Sequence, residues 1–211
     1  KRLGDGIHIF RVRAISVAQL TGPTISRLWT VDTKASTTVI EASSSVVDGQ
    51  ISRDDHATIV FHSSEANCTF QCSVDSSDYA PCTSPLHLTR LNVGSHSVMI
   101  RSIDRAGNKE LHPKLISWEI DNIPPQVSLV TEETSVTENL LTNMNSAKLS
   151  FVSSDQSATF ECRLDVYDPY VPCTSPAILS GLSDGMNVFS VRARDPAGNT
   201  GDSVTVSWIV D

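Results

Sequence analysis

The sequence contains no long apolar run and comparatively few basic residues. No stretch reaches the roughly 18 apolar residues that suggest a membrane-spanning helix. Sixteen Lys and Arg residues are outnumbered by 24 Asp and Glu residues, which gives a net charge of −8. Nucleic acid and anionic lipid both require clustered cations on the protein surface. We therefore expect no nucleic-acid partner and no membrane insertion.

Sequence motifs of enzymes are also missing. None of the six His residues belongs to an H-x-x-H or H-E-x-x-H pair. The chain has no G-x-S-x-G elbow, no glycine-rich phosphate-binding loop and no C-x-x-C pair. The sequence therefore predicts no catalytic residue, no cofactor and no enzymatic activity.

The residues that are abundant favour β-structure. Ser and Thr are frequent, Val and Ile recur, and helix-forming residues are comparatively sparse. In MNVFSVRARD, Phe189 and Val191 alternate with Ser190 and Arg192, as in a strand with one buried and one wet face. Turn segments such as DGQ, GLSDG and DPAGN interrupt the chain at short intervals. This pattern predicts an all-β fold, a sandwich of two sheets built from about seven short strands per unit.

The chain also repeats itself. TIVFHSSEANCTFQCSVD aligns without a gap to KLSFVSSDQSATFECRLD, and PCTSP occurs at Pro81–Pro85 and again at Pro172–Pro176. ISWEID matches VSWIVD, while LGDGIHIFRVRA and LWTVD near the start repeat the end of the unit once more. The self-similarity predicts a tandem array. Its parts are the C-terminal part of a truncated repeat (1–32) and two complete repeats (33–121 and 122–211).

Four of the five cysteines occupy equivalent places in the two complete repeats. Cys72 and Cys82 are 10 residues apart, and Cys162 and Cys173 are 11 apart. We expect each pair to form a local disulfide that stabilises its repeat by about 2–3 kcal/mol. Persistent disulfides indicate an oxidising compartment, so we expect an extracellular or cell-surface location.

The fifth cysteine, Cys68, aligns with Ala158 and is predicted to be unpaired. It is either a small buried thiol within a strand or a residue that forms a bond to another chain or module. Cys68 also lies within Asn67-Cys68-Thr69, an acceptor sequence for glycosylation of Asn67 in a eukaryotic host.

Two sets of residues are candidates for ligand contact. The loops bracketed by the cysteines contain the tyrosines, whose rings either contact a ligand or pack against the disulfide: Tyr79, Tyr167 and Tyr170. Acids near the repeat junctions are candidates for calcium, the alternative being solvated turn residues and no metal: Asp32, Asp104, Asp121 and Asp195.

Several short motifs occur together in each complete unit. They are F-x-C-x-[LV]-D, C-T-S-P, L-x-x-G-x-[HN], D-x-A-G-N and a terminal W-x-[VI]-D. In this combination the chain resembles the bacterial-type Ig-like repeats, which form tandem arrays in large secreted and surface proteins. The resemblance implies seven-stranded Ig-like β-sandwiches without catalytic residues, acting as spacer, adhesive stalk or binding module. The truncated unit lacks D-x-A-G-N and has Ser16–Leu20 in its place.

These features predict a non-catalytic extracellular structural or adhesive module within a larger surface or filament-forming protein. Pro124-Pro125 stiffens the step between the complete repeats, which favours a semi-rigid rod. The expected partners are other repeats or copies of the same or a related surface protein, and strand addition from a neighbouring chain is one way to complete the truncated unit. The alternative is a ligand-binding ectodomain that recognises a glycan or a partner protein.

Overall fold

The computed structural model describes residues 2–211, and almost all of its regular structure is β. Among these residues the helical structure is a single 3₁₀ turn, Thr131–Glu133. No helix in the described part of the chain has the length and apolar character needed to cross a membrane. The all-β, Ig-like fold class predicted from the sequence is confirmed.

The chain divides into two compact units. The first comprises the residues up to Asp48 together with Ala57–Leu88 and His96–Ser117; the second comprises Gly49–His56, Thr89–Ser95 and Trp118–Asp211. These units are defined by packing, whereas the repeat boundaries come from sequence. The boundaries at 32 and 121 therefore stay a prediction.

The first two strands form an antiparallel hairpin from β1 (Gly6–Val12) and β2 (Ile25–Val31). Phe10 and Val12 are at least half exposed in this hairpin. Their counterparts in the following repeat, Val98 and Ile100, are fully buried. Completion of the hairpin by strand addition stays a prediction.

Nine strands follow between residues 38 and 120, and their order is that of a two-layer sandwich. They are β3 (Thr38–Ile40), β4 (Gln50–Ser52), β5 (Ala57–Ile59), β6 (Phe61–Ser63), β7 (Thr69–Val74), β8 (Ala80–Cys82), β9 (Leu86–Leu88), β10 (Gly94–Ile103) and β11 (Lys114–Ile120). One sheet has the order β4-β11-β10-β7-β8, and the other layer consists of the pairs β3-β6 and β5-β9. β3 and β4 are the halves of one interrupted strand, and β5 and β6 are the halves of another. Counted in this way, the sandwich has seven strands.

The remaining strands repeat this arrangement. They are β12 (Val127–Leu129), β13 (Leu140–Thr142), β14 (Ser146–Leu149), β15 (Phe151–Ser153), β16 (Thr159–Leu164), β17 (Val171–Cys173), β18 (Ala177–Ser180), β19 (Gly185–Arg194) and β20 (Val204–Val210). The main sheet is β13-β20-β19-β16-β17, beside the pairs β12-β15 and β14-β18. The equivalent order follows from the equivalent spacing of apolar and turn residues.

In each sandwich the interrupted first strand crosses between the layers. β4 runs parallel to β11, and β13 runs parallel to β20. An acid anchors each crossing: the Asp48 carboxylate accepts bonds from the Ser117 hydroxyl and amide (2.7 and 2.8 Å), and Glu138 accepts the same pair from Ser207. The serine hydroxyls, followed by the amides, hold the pKa values of Asp48 and Glu138 below their ordinary values, so both acids stay ionised.

The core of the second unit lies between its two layers. Trp208, Phe151 and Val191 are at most 1% exposed and belong to one contiguous cluster. The Phe151 ring meets the Phe160 ring edge to face at 4.9 Å. The expected alternation along β19 is correct except at Ser190, which is buried because its hydroxyl pairs with that of Thr205 on the adjacent strand at 3.0 Å.

Candidate functional site

The D-x-A-G-N segment forms a closed turn in both complete repeats. In the first, the Asp104 carboxylate accepts bonds from the backbone amide and from Nδ2 of Asn108 at 2.9 and 2.8 Å. Asp195 binds Asn199 in the same way, at 2.8 Å for both bonds. Gly107 and Gly198 have φ values of 92° and 90°, which a Cβ would disfavour. The Asp, the Gly and the Asn of the motif thus each have a defined role in the turn.

The asparagine of each turn also binds the backbone of the preceding repeat. Asn108 Nδ2 donates to the carbonyl oxygen of Asp32 at 3.1 Å, and Asn199 Nδ2 donates to that of Asp121 at 2.7 Å. Asp32 and Asp121 end the W-x-[VI]-D segments of their repeats. Both hydrogens of each Nδ2 therefore have acceptors, one within the turn and one across the joint. We call this pair of bonds the asparagine clasp.

The β1–β2 hairpin has a different turn at the equivalent place. Ser16 closes it by accepting bonds from the amides of Gln19 and Leu20, through its carbonyl and its hydroxyl respectively. Gln19 adopts a φ of 64° there. The Ser16–Leu20 turn therefore contains no asparagine for a clasp.

The calcium candidates are only partly brought together. Asp32 and Asp104 join Glu65, which sequence analysis missed, and one oxygen of each lies within 4.8 Å of the others. Among residues 2–211 no comparable group of three surrounds Asp121 and Asp195. Burial raises the pKa of Asp104, but bonds from Asn108 and from the turn amides outweigh this effect and leave its pKa below the ordinary value. Its carboxylate serves the turn.

The disulfides and the repeated PCTSP segment link the strands of each sandwich. Cys72 is bonded to Cys82 across β7 and β8, and Cys162 to Cys173 across β16 and β17. The serine of each PCTSP then reaches the other layer. Ser84 Oγ accepts the amide of Phe61 at 2.9 Å, and Ser175 Oγ accepts that of Phe151 at the same distance. The motif recurs because one segment serves both layers.

Replacing both Cys162 and Cys173 by Ala is expected to lower the free energy of unfolding of the second unit by about 2–3 kcal/mol. The open loop has more conformational entropy in the unfolded chain. Urea denaturation followed by circular dichroism measures the change. Cys68→Ala, which breaks no disulfide, is the control, and equal effects of the two variants would contradict the expectation.

Two of the three candidate tyrosines lie against arginine side chains. The Arg101 guanidinium is 3.9 Å from the centre of the Tyr79 ring. Arg163 and Arg192 lie 4.7 and 4.1 Å from the Tyr170 ring. Tyr167 is 93% exposed. Of the three rings, Tyr167 alone is fully open to solvent.

A buried polar cluster in the first complete repeat was missed by sequence analysis. Glu110 is 6% exposed, and its carboxylate accepts bonds from the amide and hydroxyl of both Thr38 and Ser102. The aligned residues of the next repeat are smaller or apolar: Val127, Ala193 and Gly201. The only signal in the sequence is this concerted difference between the repeats.

The unpaired cysteine lies at the edge of the same cluster. Cys68 is half-buried, and its Sγ donates to Ser36 Oγ at 3.3 Å. Ser36 in turn donates to Ser102 Oγ at 2.9 Å. The preceding residue, Asn67, is exposed.

The chain has similar proteins among solved structures only. Neither a protein-family model nor a curated protein sequence matches the chain. Among solved structures it is similar to fibronectin(III)-like modules of Clostridium thermocellum CbhA, with 14% identity, 82% of this chain and 94% of that chain covered, and a TM-score of 0.45.

Two further structures are each similar over 82% of this chain. One is Dpr11 IG1 bound to DIP-gamma IG+IG2, with 12% identity, 98% of that chain covered and a TM-score of 0.33. The other is Bacteroides ovatus SGBP-B in complex with a mixed-linkage heptasaccharide, with 17% identity, 47% of that chain covered and a TM-score of 0.32. By its own strand order, the chain is an all-β, Ig-like sandwich protein with one disulfide in each complete repeat.

Proposed function

We propose that the chain is a non-catalytic extracellular structural or adhesive module made of bacterial-type Ig-like repeats with semi-rigid joints. The observation that carries the proposal is the asparagine clasp, which occurs with the same atoms at both joints. A turn that used Asn108 or Asn199 only for its own closure would not need the second bond. The disulfides support the extracellular location, because such bonds persist in oxidising compartments.

The joint is further restricted beside the clasp. The first residues after Asp121 include Pro124 and Pro125, which fix two φ angles. Gly201 lies so close to the Pro125 carbonyl oxygen that a Cβ on Gly201 would overlap it. The two proline restraints and this close approach support a joint that resists bending. The proposed partners of the chain are neighbouring repeats and copies of the same or a related surface protein.

Asn199→Ala is expected to loosen the joint and to leave each repeat folded. The variant removes both bonds of Nδ2, to Asp121 and to Asp195, but keeps the backbone amide that closes the turn on Asp195. Residual dipolar couplings measure the effect: residues 33–121 and 122–211 should fit one alignment tensor in the wild type and need two in the variant.

Asn187→Ala is the matched control for this experiment. Asn187 Nδ2 donates only within its own repeat, to the carbonyl oxygens of Ser183 and Gly185. The control should retain one alignment tensor. A single tensor for Asn199→Ala as well would contradict the role assigned to the clasp.

A ligand-binding ectodomain for a glycan or partner protein is the second candidate function. The exposed ring of Tyr167, in the loop between β16 and β17, favours it. In that case Tyr167→Ala would weaken binding, whereas Tyr79→Ala would affect it less because Arg101 covers the Tyr79 ring.

A further inference from the structure

The turn between β6 and β7 presents an asparagine with a free side chain. Asn67 is exposed and has a φ of 59°, in the left-handed region that asparagine tolerates. Within residues 2–211 its carboxamide makes no hydrogen bond. The aligned residue of the next repeat, Ser157, is instead bound to Asp155 through its amide and its hydroxyl at 2.8 and 2.7 Å. The free carboxamide is thus particular to the first complete repeat.

Asn67 opens the sequence Asn67-Cys68-Thr69, whose third residue is also exposed. This is the N-x-Thr pattern that accepts N-linked oligosaccharides in the secretory pathway. We propose that Asn67 carries an N-linked glycan when the host is a eukaryote, an inference that rests on the extracellular location proposed above. A glycan at this turn would extend into solvent without displacing a hydrogen bond of the fold.

The modification is a group transfer from a lipid-linked oligosaccharide. Asn67 Nδ2 forms a bond to C1 of the first sugar, and the bond from C1 to the pyrophosphate oxygen breaks. The lipid pyrophosphate leaves with the electron pair, and Nδ2 loses one proton to it. Nothing is oxidised or reduced. The co-reactant and the transferase belong to the secretory pathway of the host.

The threonine of the sequence has a structural reason in both repeats. Thr69 Oγ1 donates to the Ile103 carbonyl, and Thr159 Oγ1 donates to the Arg194 carbonyl. The threonine of the acceptor sequence is therefore common to both repeats, and the asparagine is present only in the first, as Asn67. Ser157→Asn would create the same N-x-Thr pattern in the second complete repeat, directly before Ala158 and Thr159, and gives a matched control.

A glycan on Asn67 also bears on Cys68. The half-buried thiol directly follows Asn67 in the chain and is bound to Ser36. A large hydrated oligosaccharide beside it hinders the approach of oxidants and of other chains. We therefore expect the thiol, which lies half-buried just before β7 and not within a strand, to stay unpaired in the glycosylated protein.

The test is expression of the chain behind a cleavable secretory signal in animal cells. The intact mass of the signal-cleaved chain is measured before and after treatment with peptide-N-glycosidase. We expect the wild type to lose one glycan, with conversion of residue 67 to Asp. Asn67→Asp, which keeps a residue that tolerates positive φ, should carry no glycan. Ser157→Asn should carry two.

An unmodified Asn67 in the signal-cleaved chain overturns the proposal, whether the chain is secreted or retained. The Ser157→Asn variant then shows whether the turn itself is accessible to the transferase. The same spectra report the disulfides. Free thiols at Cys72 and Cys82 would count against the proposed extracellular function, whereas intact disulfides without a glycan count against the glycan alone.

The shielding of the thiol has its own readout. Cys68 should react with a polymer-linked maleimide several-fold more slowly in the glycosylated wild type than in Asn67→Asp. Equal rates in the two proteins would overturn the shielding, and a disulfide from Cys68 to a second chain in the glycosylated protein would do the same.

Discussion

Glu110→Ala is expected to destabilise the first unit by about 3 kcal/mol at neutral pH, because buried donors on Thr38 and Ser102 lose their acceptor. Hydrogen exchange of peptides from residues 57–88, followed by mass spectrometry, measures the loss within that unit. A change below about 0.5 kcal/mol, the range of ordinary surface substitutions, would contradict the importance of the cluster.

The same carboxylate makes stability depend on pH. Burial raises the pKa of Glu110, but the bonds from Thr38 and Ser102 outweigh burial and leave its pKa below the ordinary value of 4.5. A lowered native pKa means that ionised Glu110 contributes its full stability above pH 4.5, and that this contribution is lost as pH falls through the native pKa. The difference in free energy of unfolding between the wild type and Glu110→Gln should therefore become smaller in acid.

The second complete repeat provides a control for the Glu110 experiment. Combining Glu110→Gly with Thr38→Val and Ser102→Ala copies the residues at 201, 127 and 193. Removing donors and acceptor together leaves fewer buried groups unpaired. The triple variant should therefore lower the free energy of unfolding of the first unit by less than the sum of the three single variants. Strict additivity would indicate that the three residues act independently.

Trp208→Ala is expected to lower the free energy of unfolding of the second unit by about 3–5 kcal/mol. Trp208 is 1% exposed within the core cluster, and removal of its indole leaves a cavity that the sheets cannot fully close. Urea denaturation followed by far-ultraviolet circular dichroism measures the change.

Trp29→Ala is the matched variant, since Trp29 is the tryptophan of the same motif in β2. Its side chain is 39% exposed in the β1–β2 hairpin, so less apolar surface is lost from burial and no enclosed cavity forms. We expect Trp29→Ala to lower the free energy of unfolding markedly less than Trp208→Ala does. Equal costs would mean that burial does not set the contribution of this tryptophan.

The local features of the fold were predictable from sequence. Alternation places Phe189 and Val191 on one face of β19. The sequence repeat predicts that the two complete repeats share one strand order, as the structure shows. Ser190 departed from the pattern because burial of a small polar residue depends on its neighbour across the strand, here Thr205. Periodicity along one strand contains no information on that neighbour.

The features that join distant segments were not predictable. Asn108 and Asp32 are 76 residues apart, and Glu110 and Thr38 are 72 apart. D-x-A-G-N could be assigned as a turn from its composition, but the second bond of its asparagine depends on where the preceding repeat ends. The tyrosine loops were similarly ambiguous, because Arg101 approaches Tyr79 from a different strand.

The acceptor of the asparagine clasp is a backbone carbonyl, which every amino acid possesses. A repeat that has D-x-A-G-N can therefore follow any unit whose last strand brings a carbonyl to the same place, whatever side chain stands there. Neither partner needs a compensating substitution when units are duplicated, deleted or reordered. When whole units are gained or lost by recombination, the clasp itself therefore sets no requirement on the side chain at the end of the new preceding unit.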